Sequence, residues 1–412
     1  MRRRTFLGAA LAAPIAARMR VAAAEERSRD RPAAGLQVVV IGAGAFGGWT
    51  ALELARRGAR VTLADGWGPG NSRASSGGET RVIRAAYADP LYTRMAQRAL
   101  ALWHENERVF GQALFRRTGV LFMAQRAGMD FLTAALRNLE ALSVEHEVLD
   151  VEELQRRYPQ ITLEGIERAI FEPESGCLLA RRACVAVADA LVGEGGRYVR
   201  QHARPGAIAN GAMNGVQLED GSVVTADVYV FASGPWLGAL FPDVLGKLIT
   251  VPRQEVMFFG TPPGEHRYDE GQFPIWADFG ERLWYGIPGN ENRGFKIADG
   301  TPGPVFDPTT GDRTVSEAGI RAARDYLARR FPALAHAPLV ESRVCQYPLT
   351  PDGHFIVDHH PEAANAWLVG GGGDHGYKHG PAIGEHAALR VLGEIDQEPK
   401  FALARFAEAK SG

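Results

Sequence analysis

Cysteine is scarce in this chain: 412 residues contain three, Cys177, Cys184 and Cys345. That excludes a scaffold built on disulfides. Cys177 and Cys184 stand seven residues apart, in or beside a helical run over 181–192. Two helical turns would separate them by about 10 Å along the axis, too far to bridge without distortion. Metal-ligand spacing is missing as well, because His359 and His360 are adjacent rather than a helical turn apart and no cysteine pair accompanies them. No internal apolar run is long enough to span a bilayer, and no repeat with a period of about 20–50 residues is present. Neither sign of charge is in excess: 46 Lys and Arg face 48 Asp and Glu. Such a balance gives no reason to bind nucleic acid.

What is present fits a globular enzyme, with 46% apolar and 23% charged residues. The length allows about two or three domains. Residues 1–24 read as an export signal. Arg3-Arg4-Thr5-Phe6-Leu7 is similar to the twin-arginine signal that carries folded, cofactor-loaded proteins, and an Ala-rich stretch and Ala22-Ala23-Ala24 follow. Removing this segment takes five arginines and no acid, leaving 41 basic against 48 acidic side chains. The expected location is periplasmic or secreted.

The clearest motif is a dinucleotide fingerprint. Leu36–Ile41 is a β-branched apolar run, read as a buried parallel strand. Gly42-Ala43-Gly44-Ala45-Phe46-Gly47 follows at once, then a helix over 50–57 and a second strand over 60–64 ending in Asp65. Gly42 permits the tight turn, Gly44 lets the backbone approach the pyrophosphate, and Gly47 allows close helix–strand packing. Asp65 lies 23 residues after Gly42, where a carboxylate accepts hydrogen bonds from ribose hydroxyls. Two later segments return to the same fold. Val228–Phe231 ends in Ala232-Ser233-Gly234, and Trp367-Leu368-Val369 leads into Gly370–Gly373, Asp374-His375-Gly376-Tyr377-Lys378 and a helix over 381–388. A glycine-rich turn entering a helix N-terminus suits an electron-rich flavin edge. The triple return favours FAD over NAD, whose domain is usually contiguous.

Several further motifs, in order, carry a resemblance. They are Gly78-Glu79-Thr80-Arg81-Val82-Ile83-Arg84, Arg117–Leu121, Phe171-Glu172-Pro173-Glu174-Ser175-Gly176, Cys345-Gln346-Tyr347, His354–Asp358 and His375–Lys378. Together they resemble the monomeric sarcosine oxidase and pipecolate oxidase group of the D-amino acid oxidase superfamily, over nearly all of the chain beyond the signal. The resemblance implies FAD attached covalently through Cys345, and Arg84 and Lys378 on a substrate carboxylate. It puts Lys296 near the reactive ring nitrogen, where its charge favours electron transfer to dioxygen. Tyr285 and Tyr347 would line the substrate pocket, His375 would contact substrate or flavin, and Thr80 and Arg81 would support the flavin from behind. Gly372 and Gly373 would approach the cofactor. No metal is implied.

Two departures stand out. Where well-known bacterial members carry a histidine pair before the arginine motif, this chain has Ser75, Ser76, Gly77 and Gly78. Where they carry another pocket histidine, four residues after Lys296, it has Gly300. Both changes predict a less basic and roomier pocket and weaken the case for sarcosine itself.

The fold expected is α/β, a Rossmann-type FAD-binding domain interleaved with an α+β substrate domain on a mixed sheet. After the signal (1–24), the FAD-binding segments fall at 36–115, 176–248 and 335–412, and the substrate segments at 116–175 and 249–334. The activity expected is oxidation of a secondary amine of an N-substituted or cyclic amino acid to an imine, with dioxygen reduced to hydrogen peroxide, by a monomer. A flavin dehydrogenase using another acceptor, an NAD-dependent dehydrogenase and a non-catalytic flavin-binding protein are the alternatives.

Overall fold

A computed structural model describes residues 33–407. The export segment read at 1–24 lies outside the described residues. Two sheets organise the rest. The first has six strands in the order Ile356–His360, Ala363–Gly370, Val228–Phe231, Gln37–Ile41, Arg60–Ala64 and Arg197–Val199. All neighbours are parallel except the edge pair formed by the first two. Val38, Val39, Val40 and Leu63 are buried, as strands covered on both faces require.

Helices Ala45–Arg56, Ala180–Gly193 and Gly380–Val391 pack together beside this sheet. Gly384 makes the closest approach possible: a Cβ there would lie 2.5 Å from the Trp49 Cβ. The sequence places the start of the first helix five residues too late. Gly47 and Gly48 weaken the helical pattern, but both are buried in the first turns.

The second sheet has eight strands in the order Leu339–Gln346, Arg253–Phe259, Phe295–Asp299, Leu283–Ile287, Ile275–Phe279, Val120–Gln125, Ile166–Glu172 and Glu147–Leu149. Its one parallel contact joins Ile275–Phe279 to Val120–Gln125, so two distant segments meet at mid-sheet. Helix Glu317–Arg330 covers one face, with Tyr326, Leu327 and Phe331 packed on Trp276 and Phe295. At its end the buried Arg330 guanidinium meets Asp278, which also accepts from Tyr326 Oη and Gln125 Nε2. Strand Leu339–Gln346, expected with the nucleotide-binding part, pairs here with Arg253–Phe259. The chain therefore leaves the second sheet only after Gln346.

A small antiparallel sheet, Thr80–Ile83, Gly176–Leu179 and Phe115–Arg117, ties together segments from the two motifs 78–84 and 171–176. Cys177 lies in its middle strand and Cys184 in helix Ala180–Gly193; both are free and buried, as is the half-exposed Cys345 free. Among the described residues no helix is long and apolar enough to cross a membrane.

Candidate active site

One cavity of about 600 Å³ runs between the two sheets. At one end the first strand stops at Ile41 and the helix Ala45–Arg56 begins. Gly42 has φ 107° and lies against the Ala232 carbonyl, where a Cβ would come within 2.4 Å. A Cβ on Gly47 would sit 1.9 Å from the Gly42 oxygen, so this glycine shapes the turn from behind and does not line the cavity. The Ala45 N–H is met at 3.0 Å by Ser76 Oγ, 31 residues away. Asp65 accepts from three backbone N–H groups: Ala43 on one oxygen, Trp67 and Gly68 on the other. Its carboxylate thus also braces the glycine turn, a role beyond the one expected of it.

The middle of the cavity is cationic. Arg81 donates to the carbonyls of Thr80, Ser75 and Gly77, and its Nη2 lies 3.9 Å from Cys345 Sγ. Arg343 shares a strand face with Cys345, two residues away, and flanks Gly78 opposite Arg81. Lys296 is buried, with Nζ 3.2 Å from the Thr80 carbonyl. Burial first, then the Arg81 guanidinium, lowers its pKa to about 7. Thr80 does not line the cavity; it holds Lys296 from behind.

At the far end Arg84 and Lys378 approach from different elements. The Arg84 guanidinium lies 4.0 Å over the Tyr87 ring and bonds to the Ala86 carbonyl. Lys378 Nζ donates to Tyr87 Oη and to the His375 carbonyl, each at 2.9 Å. Burial, then Arg84, holds Lys378 well below its ordinary value. His375 is lowered to about 4 by burial and then Lys378, so its ring is neutral near pH 7. Phe122, Ile275, Phe279, Leu283 and Ile287 add an apolar lining, and the Phe122 ring lies 5.7 Å from the Arg84 guanidinium. Tyr285 also lines the cavity, and burial pushes its hydroxyl pKa up. Tyr347 Oη accepts from Gln254 Nε2 at 2.7 Å.

The sequence profile of the DAO family, FAD dependent oxidoreductase, matches residues 37–390. The chain belongs to this FAD-dependent oxidoreductase family. It is 30% identical to monomeric sarcosine oxidase of Bacillus sp. (strain B-0618) over 376 residues, 88% of this chain and 93% of the relative. It is 28% identical to N-methyl-L-tryptophan oxidase of Yersinia pestis (strain Pestoides F), across 90% and 99%. The fold matches a crystal structure of L-proline dehydrogenase from P. horikoshii with a TM-score of 0.79 at 21% identity, covering 91% of this chain and 99% of that one.

The residues present fit the family's cofactor. Ser75 Oγ and Ser233 Oγ line the nucleotide end, buried and without a protein partner. Hydroxyls so placed suit phosphate or ribose oxygens. Gly42, Gly44, Asp65 and Ser76 would cradle the dinucleotide there, while Gly372 and Gly373 line the same cavity next to His375. A loop of the second sheet latches onto this end: Trp236 Nε1 donates to Thr309 Oγ1, and Arg73 bonds to the Thr309 carbonyl.

All the expected site residues except Gly47 and Thr80 line this cavity. The two departures take on a different meaning. Gly300 leaves no void, since a Cβ there would fall 2.9–3.1 Å from the Leu283 side chain. The pocket is less basic at this point, but Leu283 fills the space. In the serine–glycine stretch before the arginine motif, the Ser76 hydroxyl meets the N-terminus of the first helix. Sequence reasoning gave no role to Tyr87, Glu172, Arg343, Gln254 or His379. Glu172 and Ser175 lie inside the motif over 171–176, and their hydrogen bond is buried beside the Arg84 loop. Tyr87 stood three residues after Arg84, with no pattern to mark it.

Proposed function

We propose that this protein oxidises the CH–NH bond of a secondary amine in an amino acid with a free carboxylate and an apolar substituent, giving an imine and passing the electrons to dioxygen as hydrogen peroxide. The observation that carries the reading is the pairing of Arg84 and Lys378 in a cavity also lined by the apolar side chains Phe122, Phe279, Leu283 and Ile287. A guanidinium and an amine converging in a buried site suit a carboxylate, which the guanidinium can grip through two N–H groups. That apolar lining suits a hydrocarbon substituent better than a sugar chain, whose hydroxyls would lose hydrogen bonds there. The names of the relatives, sarcosine and N-methyl-L-tryptophan oxidases, point to the same bond.

FAD, bound along the cavity, supplies the two-electron acceptor. Arg84 and Lys378 orient the substrate, and Tyr285 and Tyr347 wall the reacting centre. The amine loses a hydride equivalent from carbon and a proton from nitrogen, and water then hydrolyses the imine. Neutral His375 can accept or donate a hydrogen bond without adding charge. Lys296 supplies positive charge for electron transfer to dioxygen, and Cys345 is the attachment point for the flavin, 3.9 Å from the Arg81 guanidinium.

The test is a peroxide screen of the purified protein. N-methyl amino acids with apolar side chains, pipecolate and proline should release peroxide, and the matching amines without a carboxylate should be far slower. Equal turnover of the amines without a carboxylate would remove the assigned site. Amine-dependent bleaching of the flavin without peroxide would replace dioxygen by another acceptor.

A further inference from the structure

The two cations of the carboxylate site stand on separate elements, yet one side chain touches both. Arg84 follows the strand Thr80–Ile83, and Lys378 lies in the turn Tyr377–His379 after the last glycine run. The Tyr87 ring carries the Arg84 guanidinium on its face at 4.0 Å, and its hydroxyl receives Lys378 Nζ at 2.9 Å. Behind the hydroxyl, His379 Nε2 stands at 2.9 Å and His375 Nδ1 at 3.4 Å. With Lys378 donating to Tyr87, the phenol proton is free to go to the imidazole of His379, which is fully buried. The backbone of Tyr87 is fixed as well: Asn138 Nδ2 donates to its carbonyl at 2.8 Å, and Glu172 accepts from Ala85 and Ala86 just before it.

We infer that Tyr87 is the positioning residue of the carboxylate site, setting the separation and direction of Arg84 and Lys378 so that both reach one carboxylate. The inference rests on the reading of Arg84 and Lys378 given above. Its physical basis is that two positive charges side by side in a buried site repel, so Lys378 keeps its proton next to Arg84 only where something offsets that repulsion. Tyr87 opposes that with two kinds of negative potential, the ring face for the guanidinium and the hydroxyl oxygen for the amine. Among the described residues the only other hydrogen-bond partner of Lys378 Nζ is the His375 carbonyl. Without the phenol oxygen, that single bond would leave the amine free to swing.

The experiment uses the holoenzyme and two inert ligands of one shape, cyclohexanecarboxylate and cyclohexanecarboxamide, titrated by the change in the flavin absorption spectrum. Wild-type protein should bind the carboxylate more tightly; no preference would overturn the carboxylate reading, and the role of Tyr87 with it. Given that preference, Tyr87→Phe keeps the ring and removes the oxygen. It should weaken the carboxylate about tenfold, the scale of one charge-assisted hydrogen bond, and change the carboxamide less than about twofold. With an amine substrate KM should rise while kcat holds, as expected for lost ground-state binding. Tyr87→Leu, which removes the ring too, should weaken the carboxylate further. Equal weakening of both ligands, or an unchanged carboxylate affinity, would overturn the proposal. If Tyr87→Phe fails to fold, His379→Asn supplies the same contrast by taking the acceptor from behind the hydroxyl: selective loss of the carboxylate supports the proposal, and parallel loss or none overturns it.

Discussion

Glu172 holds Arg84 through the backbone of Ala86: its carboxylate accepts the N–H groups of Ala85 and Ala86 at 2.8 and 2.6 Å, and the Ala86 carbonyl accepts the Arg84 guanidinium. The carboxylate is 1% exposed and also receives Ser175 Oγ. Glu172→Gln would turn an acceptor into a group that offers N–H to N–H. It should cost about 1–3 kcal/mol of stability, the range for a buried hydrogen-bonding group left unmatched. KM for the carboxylated substrate should rise with it. Urea unfolding and steady-state kinetics check both, and wild-type values in each would remove the link between Glu172 and Arg84.

Cys345→Ala should leave a yellow protein whose colour passes to the supernatant on acid precipitation, whereas wild-type colour should stay in the pellet. Colour released from the wild type would show that the flavin is not attached to the chain.

Lys296→Met removes one positive charge from the centre of the cavity. A unit charge at about 4 Å is worth roughly 4 kcal/mol at intermediate dielectric. Reoxidation of the reduced enzyme by dioxygen should therefore slow by about a hundredfold or more, while anaerobic reduction by the amine changes little. Lys296 titrates at about 7 in the unliganded cavity, so its charge is present below that pH and lost above it. A negative neighbour moves this loss upward. Wild-type reoxidation should fall with rising pH through an inflection at or above about 7, and the variant should show none. Stopped-flow absorbance separates the two half-reactions; equal slowing of both would contradict the assignment.

His375 should make the fold acid-sensitive. Its pKa falls from 6.5 in the unfolded chain to about 4 in the fold. Between those values the unfolded chain holds a proton that the fold does not, so stability rises with pH across that window. Read downward, stability is lost as pH falls from 6.5 to 4, and the cost is complete below 4. His375→Asn should flatten that part of the slope in thermal melts at a series of pH values, and an unchanged slope would assign the acid sensitivity elsewhere.

The nucleotide half was legible because its physics is local. Gly42 needs positive φ, Gly47 needs the absence of a side chain, and both requirements show within six residues of sequence. The cations were legible only through motifs, since nothing local distinguishes Lys296 or Lys378 from a surface lysine until the sheets bury them. Tyr87, Arg343 and Glu172 stayed hidden because their roles depend on partners far along the chain, as with Tyr87 and His379 at a separation of 292 residues. Gly300 misled for the same reason: the sequence shows a missing histidine but not the Leu283 side chain that takes its space. Strand Leu339–Gln346 was placed with the wrong sheet because an edge strand carries little apolar signal of its own.

The cavity takes its walls from Ile41 at one extreme and Lys378 at the other, with pieces of both sheets between. During synthesis, then, no partial chain released before the final glycine run contains the complete flavin pocket. A polypeptide stalled at residue 340 would have the fingerprint turn and most of the second sheet, yet lack Cys345, the strand Ala363–Gly370 and Lys378. Assembly of the whole cavity is in that sense a late event, because it waits for the stretch that carries Lys378.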